Sequence, residues 1–259
     1  MRVKRLASWT IPYAIFLALF VVLPMLLILM YSFQDGDGAF SFSNFTRLFH
    51  DRDALTTFAL SLEIAIETTV ICILIGYPAA WILANRKYNR SGVTIILFIL
   101  PMWVNALMRT LATAELFNIF GITLGKGTLL FGMVYDYLPF MIYPIYTVLL
   151  KMDKSYAEAA QDLGAGPVKV FTKVIFPLSL PGVLSGVMMV FMPTVSTFAI
   201  SEFLTNNKIK LFGTIIQENI NSSMWNYGAA LSLIMLIIIG LTSVFSSDGK
   251  DAEGGASRI

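Results

Sequence analysis

Four acidic side chains lie within or at the ends of long apolar segments, namely Glu63, Glu67, Asp136 and Glu202. A carboxylate is costly to place in apolar surroundings, so such residues are candidates for binding a cation or relaying protons. Glu63 and Glu67 are four residues apart and share one face of any helix. The alternatives are that Glu63 and Glu202 lie at a wet interface, and that Glu67 and Asp136 form buried pairs or interhelical hydrogen bonds. Arg109 is available to neutralise one of them.

The rest of the sequence offers no catalytic constellation. Residues 121–127 (GITLGKG) have one residue too few between the glycines for a phosphate-binding loop, and a glycine stands where Ser or Thr would bind magnesium. His50 is the only histidine, and we expect it to be a solvated surface residue. Cys72 is the only cysteine and is expected to pack as a small apolar residue. The sequence therefore predicts no enzyme active site, no metal and no cofactor in this chain.

The composition shows which elements must position the acidic side chains. Apolar residues make up 57% of the 259 residues, charged residues make up 13%, and the mean hydropathy is +0.75. A soluble domain carries about 25% charged residues. The net charge of +2 comes from scattered Lys and Arg, which excludes the basic surface that nucleic acid requires. The chain is therefore predicted to be an integral membrane protein.

We expect an all-α membrane protein with one transmembrane domain over residues 1–245 and a polar, disordered tail over 246–259. The predicted spanning helices are about 9–33, 58–85, 93–108, 129–150, 174–203 and 228–245. The first segment is too long for a cleavable signal. The third is short and interrupted by Pro101, and residues 110–120 would complete its crossing. Because the count of spans is even, both termini lie on one side of the membrane.

The basic residues indicate which side that is. With both termini in the cytoplasm, the inner segments hold twelve Lys and Arg residues and the outer loops hold six. Lys and Arg resist translocation, whereas acidic residues count for little. The sequence therefore predicts cytoplasmic termini.

One polar segment, residues 151–164, lies between the fourth and fifth predicted spans, on the predicted cytoplasmic side. A short helix is expected over 155–164, with Ser155 as N-cap and Glu158 completing a capping box. Gly164 is placed to end this helix in the left-handed conformation, and Pro167 suits the first turn of the next helix. A helix this short is only marginally stable on its own in water, and another surface must therefore stabilise it.

This region resembles a known signature. Residues 158–177 are similar to the E-A-A-x3-G-x9-I-x-L-P pattern of permease subunits of bacterial ABC importers, with conservative Val and Phe at its Ile and Leu. The matching residues are Glu158, Ala159, Ala160, Gly164 and Pro177. Residues 75–81, 100–109, 134–144 and 159–165 extend the similarity over most of the chain, to permease subunits of polyamine importers.

The resemblance implies a type I importer permease fold in the bacterial cytoplasmic (inner) membrane. It implies a second homologous permease that shares the pore, two ATPase subunits that bind ATP and magnesium, and an extracytoplasmic substrate-binding protein. It also implies that four residues of the short helix sit in a cleft of the ATPase and couple its closure to the spans. These residues are Glu158, Ala159, Ala160 and Gly164.

A polyamine substrate would need carboxylates along a groove, with aromatic faces against its methylenes and ammonium groups. The candidate pathway residues are Trp103, Tyr135, Asp136, Glu67 and Glu202. One alternative is an ABC importer permease for another solute, such as ferric iron, thiamine or an anion. A second alternative is a proton-coupled secondary transporter that uses Glu67 and Asp136 as its relay.

Overall fold

The computed structural model describes residues 11–85 and 93–251, and their regular structure is helical apart from one isolated β-bridge. The apolar segments form long helices because a helix satisfies its own backbone hydrogen bonds, which the bilayer interior requires. The helices are α1 Ile11–Ser32, α2 Ser43–His50, α3 Arg52–Ala84, α4 Val93–Trp103, α5 Ala106–Ile119, α6 Lys126–Lys151, α7 Ser155–Asp162, α8 Pro167–Ser196, α9 Ala199–Thr205, α10 Phe212–Asn221 and α11 Trp225–Asp251.

Five helices in the described part of the chain are long and apolar enough to cross a membrane. They are α1, α3, α6, α8 and the Trp225–Ser243 part of α11. α4 and α5 qualify as a sixth span when taken together, and they meet at a bend of 91°. The third predicted segment, 93–108, is therefore one part of a broken element whose second part is α5.

Several predicted boundaries differ from the observed ones. The fifth span, expected over 174–203, starts at Pro167 and ends at Ser196, because the extended backbone of Thr197 interrupts the helix. Glu202 consequently lies in the separate helix α9 rather than at the end of this span. The final helix continues to Asp251, past the expected limit at 245, since polar residues can extend a helix that is already nucleated. Residues 252–259 of the expected tail lie outside the described residues.

The described residues form two compact units. The first contains the residues up to Thr56 together with Ile215–Ile238. Apart from Ser32, every residue of α1 is exposed or half-buried. The guanidinium carbon of Arg47 lies 4.2 Å from the ring centre of Tyr227, whose hydroxyl donates to Asp51 Oδ2 at 3.1 Å. A polar cluster thus helps to hold this unit together.

The second unit contains Thr57–Thr214 together with the described residues from Ile239 onward. Its core includes the fully buried Cys72, which confirms the apolar packing expected for this thiol. α6 and α8 approach each other closely at two glycines of α8. A Cβ added at Gly182 would lie 3.0 Å from the Pro144 carbonyl oxygen, and one at Gly186 would lie 2.7 Å from Met141 Sδ. Small residues of this kind let membrane helices pack backbone to backbone.

A buried serine of the second unit caps a neighbouring helix. Ser61 Oγ accepts the backbone N–H of Phe212 at 2.7 Å and donates to the Thr57 carbonyl at 2.9 Å. Both Ser61 and Phe212 are fully buried. The first N–H groups of a helix have no partner within it, so Ser61 satisfies one such group at the start of α10.

We therefore expect Ser61→Ala to destabilise the subunit by about 1 to 3 kcal/mol, because it leaves the Phe212 N–H buried without an acceptor. The melting temperature of the purified subunit in detergent measures this effect. Ser185→Ala is the matched control, since the Ser185 hydroxyl donates to the Pro181 carbonyl of its own helix. Equal melting temperatures for both variants and the unmodified subunit would contradict the prediction.

Candidate substrate site

A cavity of about 400 Å³ lies within the second unit, at the break between α4 and α5. Its walls come from the end of α4, the start of α5, the middle of α6 and Ile200 of α9. Cavities of roughly 300 to 1,000 Å³ are typical of small-molecule sites. The size and the mixed polar and aromatic lining make this cavity the candidate substrate site.

The local sequence explains why the chain breaks here. α4 ends in a 3-10 turn that contains Pro101, and the backbone of Val104 is extended. Asn105 then caps α5, because its Oδ1 accepts the N–H of Leu107 at 2.9 Å and that of Met108 at 3.4 Å. The cap stabilises a new helix start, and the two helices therefore leave the break in different directions.

Arg109 of α5 and Asp136 of α6 form a buried ion pair in the cavity wall. Arg109 Nε lies 2.6 Å from Asp136 Oδ1, and the two side chains are 8% and 3% exposed. The hydroxyl of Thr110 donates to Asp136 Oδ2 at 3.2 Å. A buried pair was one of the alternatives considered for Asp136 from the sequence. Arg109, predicted to neutralise one of the acidic residues, is its partner. Because the charges are paired, neither carries the large penalty of an isolated buried charge.

Arg109 has two further partners beside the carboxylate. Its Nη1 donates to the Pro101 carbonyl oxygen at 2.6 Å, at the end of α4. Its guanidinium carbon lies 5.3 Å from the ring centre of Tyr135, within the range of a cation–π contact. One side chain thus connects the broken span, the carboxylate and an aromatic ring.

The structure brings together some of the predicted pathway residues and separates others. Trp103 and Asp136 both line the cavity, and Tyr135 lies beside Arg109. Glu67 is instead held by Lys126, whose Nζ lies 2.9 Å from Glu67 Oε1 and 2.6 Å from Glu63 Oε1. Glu67 and Asp136 therefore each have their own basic partner.

Glu202 is half-buried on α9 and does not line the cavity. The cavity also includes Tyr137, Phe140 and Asn105, which sequence reasoning did not select. Phe140 lies four residues after Asp136 and so shares its helix face, a spacing that could have revealed it. In the described part of the chain, no group of three His, Cys, Asp or Glu residues could hold a metal ion.

The short helix α7 lies between two of the long helices. Ser155, the predicted N-cap, is its first residue, and the carboxylate of Asp153 accepts the Ser155 N–H at 2.9 Å. The prediction of Ser155 as the cap was wrong, because the carboxylate two residues earlier binds the first N–H. This hydrogen bond holds the pKa of Asp153 below its usual value.

The left-handed glycine after α7 is as predicted, although the helix itself ends at Asp162 rather than at 164. Gly164 has φ of 80°, in the left-handed region, and its N–H donates to the Gln161 carbonyl at 2.8 Å. Every residue of α7 is exposed or half-buried, and Leu163 after it is 89% exposed. α7 therefore presents a free surface in this chain.

Together, the long apolar helices, the broken span with its cavity and the exposed helix α7 define a multi-pass membrane transport protein. Residues 72–248 match the family described as "Binding-protein-dependent transport system inner membrane component". The chain belongs to this family, and it is a permease subunit of the ABC importer class. The family places it in the inner membrane and implies a partner permease, an ATPase and a binding protein.

Curated relatives of this chain are polyamine permeases. It is 34% identical over 249 residues to the spermidine/putrescine transport system permease protein PotB of Escherichia coli (strain K12). The matched region covers 87% of this chain and 90% of that protein. It is 32% identical to PotB of Haemophilus influenzae, with 87% of each chain covered. It is 26% identical to the PotB homolog of Mycoplasma genitalium, over 95% of this chain and 92% of that one.

Solved structures confirm the predicted fold. A bacterial alginate ABC transporter, in complex with an alginate pentasaccharide-bound periplasmic protein, matches with a TM-score of 0.64 at 13% identity. The match covers 95% of this chain and 93% of that one. The MetNI methionine ABC transporter matches with a TM-score of 0.60 at 15% identity, over 76% of this chain and 94% of its own. The all-α, type I importer permease fold is therefore shown.

Proposed function

We propose that this chain is the permease subunit of an ATP-driven importer for polyamines such as spermidine and putrescine. The observation that carries the proposal is the cavity that Asp136 lines together with the aromatic residues Trp103, Tyr137 and Phe140. A polyamine combines ammonium groups with apolar methylenes. A carboxylate suits the former, and aromatic faces suit both. The similarity to PotB proteins supports the same substrate class.

The pathway continues beyond this cavity in our proposal. Trp103, Tyr135 and Asp136 form the site at the break, and Glu67 and Glu202 are further acidic points along the route. A second homologous permease supplies the opposite wall. A binding protein delivers the substrate from outside.

Coupling to ATP depends on α7 in this proposal. The segment Glu158–Gly164, with Ala159 and Ala160, sits in a cleft of one of two ATPase subunits, which bind ATP and magnesium. The exposure of α7 and its left-handed end at Gly164 support this role. The excess of basic residues in the inner segments supports cytoplasmic termini. Closure of the ATPase dimer then moves the spans as packed bodies between two states.

The test is uptake of labelled spermidine by the complete complex in proteoliposomes, with the binding protein outside and ATP inside. We expect uptake that requires ATP and is inhibited by excess unlabelled putrescine. Ferric iron, thiamine and inorganic anions should not compete. If one of these solutes inhibited uptake more strongly than putrescine does, that solute would be assigned as the substrate instead. Uptake that survives without ATP but stops when the proton gradient is removed would indicate a secondary transporter.

A further inference from the structure

We propose that Arg109 occupies the cation site at Asp136 when no substrate is present, and that an ammonium group of the substrate takes its place during transport. This inference rests on the proposed function, because it requires a cationic substrate. Arg109 is then a specificity-determining residue that acts by competing with the substrate for one carboxylate.

The geometry of the pair carries this inference. Arginine often binds a carboxylate through two parallel N–H groups. Here Arg109 contacts Asp136 Oδ1 through Nε, while its Nη1 donates to the Pro101 carbonyl oxygen. The guanidinium also lies against the Tyr135 ring. If the contact with Asp136 opened, Arg109 would keep two favourable partners.

The burial of the Asp136 carboxylate also favours the exchange of one cation for another. Asp136 is 2% exposed and lines the cavity, and Thr110 donates to its other oxygen. Losing Arg109 without a replacement would leave a buried carboxylate unpaired, which is strongly unfavourable. An ammonium group that enters the cavity supplies the missing charge, so the exchange proceeds only with a cationic solute. Neutral and anionic solutes cannot open the pair in this way.

The competition also favours release. A transport site must bind its substrate well enough to admit it and weakly enough to let it leave. After the exchange, the positive charge of Arg109 remains near the bound ammonium, and the two like charges repel. Arg109 can then return to Asp136 and displace the ammonium. Removing its charge should therefore strengthen binding and slow release.

The test compares KM and kcat for spermidine uptake among variants of the complete complex. We expect Arg109→Gln to lower both KM and kcat by about tenfold, because the ammonium binds without a competitor and leaves slowly. Asp136→Asn should raise KM by about tenfold, because the site loses its charge. Adding Arg109→Gln to Asp136→Asn should lower KM by less than Arg109→Gln does alone, because no carboxylate remains for Arg109 and the ammonium to compete for. Arg109→Lys should stay near the KM of the unmodified complex, because it keeps a cation beside the carboxylate.

Two controls separate this role from a purely structural one. Arg47→Gln removes an arginine that stacks on Tyr227 in the first unit, and it should leave KM unchanged. The melting temperature of each variant complex reports on folding independently of uptake. If the pair only stabilised the fold, the single variants would melt lower at an unchanged KM, and the double variant would recover. That result would overturn the inference.

The outcomes also distinguish the two proposals. An unmodified complex that imports spermidine while all folded variants keep its KM would overturn the exchange and leave the polyamine importer standing. An unmodified complex that imports no polyamine would overturn both, since the exchange requires a cationic substrate.

Discussion

Replacing Gly164 with tryptophan should reduce substrate uptake to background while the subunit remains inserted and folded. The backbone at Gly164 has φ of 80°, which costs a bulky residue such as tryptophan about 1 to 2 kcal/mol. A Cβ at this position would meet no atom of the described chain within 4 Å, so the large ring has room within the subunit. In our proposal the ring would instead collide with the ATPase cleft. The measurement is ATP-dependent uptake, with membrane insertion followed by immunoblotting.

Gly121→Trp is the matched control for this experiment. Gly121 has φ of 67° and equally open surroundings, but the sequence predicts that it lies on the outer side. The two variants therefore share the backbone strain and the size of the new side chain. Undiminished uptake in Gly164→Trp would contradict the coupling role of α7, as would an equal loss in Gly121→Trp.

Replacing Gly182 with leucine should prevent the native packing of α6 against α8. Already the first added carbon would lie 3.0 Å from the Pro144 carbonyl oxygen and 3.1 Å from Ile145 Cα, and these are backbone atoms that cannot rotate away. Overpacking of this kind typically costs about 1 to 3 kcal/mol, and the remaining leucine atoms push the helices further apart. We expect a large drop in the yield of folded subunit and in its melting temperature.

Gly240→Leu tests whether this effect arises from the helix contact. Gly240 lies within α11, and a Cβ there would meet no described atom within 4 Å. Removing a glycine from a helix interior can stabilise it by about 1 kcal/mol. The control should therefore melt at or above the temperature of the unmodified subunit. A folded Gly182→Leu variant with an unchanged melting temperature would refute the close packing.

The spans were predictable from sequence because the bilayer demands long apolar helices. The break between α4 and α5 was only partly predictable. Pro101 marked an interruption, but the bend of 91° also depends on the extended Val104 and the capping by Asn105. The predicted end of the fifth span was wrong because the apolar run of the sequence continues past Ser196. Hydropathy does not report a local change of backbone conformation.

The candidate site was predictable by residue type, whereas the sequence offered Arg109 as a partner without specifying for which carboxylate. The cost of burying a carboxylate singled out Asp136 and Glu67, yet their partners lie far away in the sequence. Arg109 pairs with Asp136 and Lys126 with Glu67 because packed helices bring them together. Such contacts depend on helix rotation and register, which a single sequence does not specify.

The pairing of Arg109 with Asp136 also has an electrical consequence. Moving one elementary charge across the whole bilayer changes its energy by about 2.3 kcal/mol per 100 mV of membrane voltage. Two opposite charges held 2.6 Å apart experience nearly cancelling forces. The empty protein should therefore keep this contact whether or not the membrane is energised, whereas a polyvalent solute that enters the cavity will be driven by the same field.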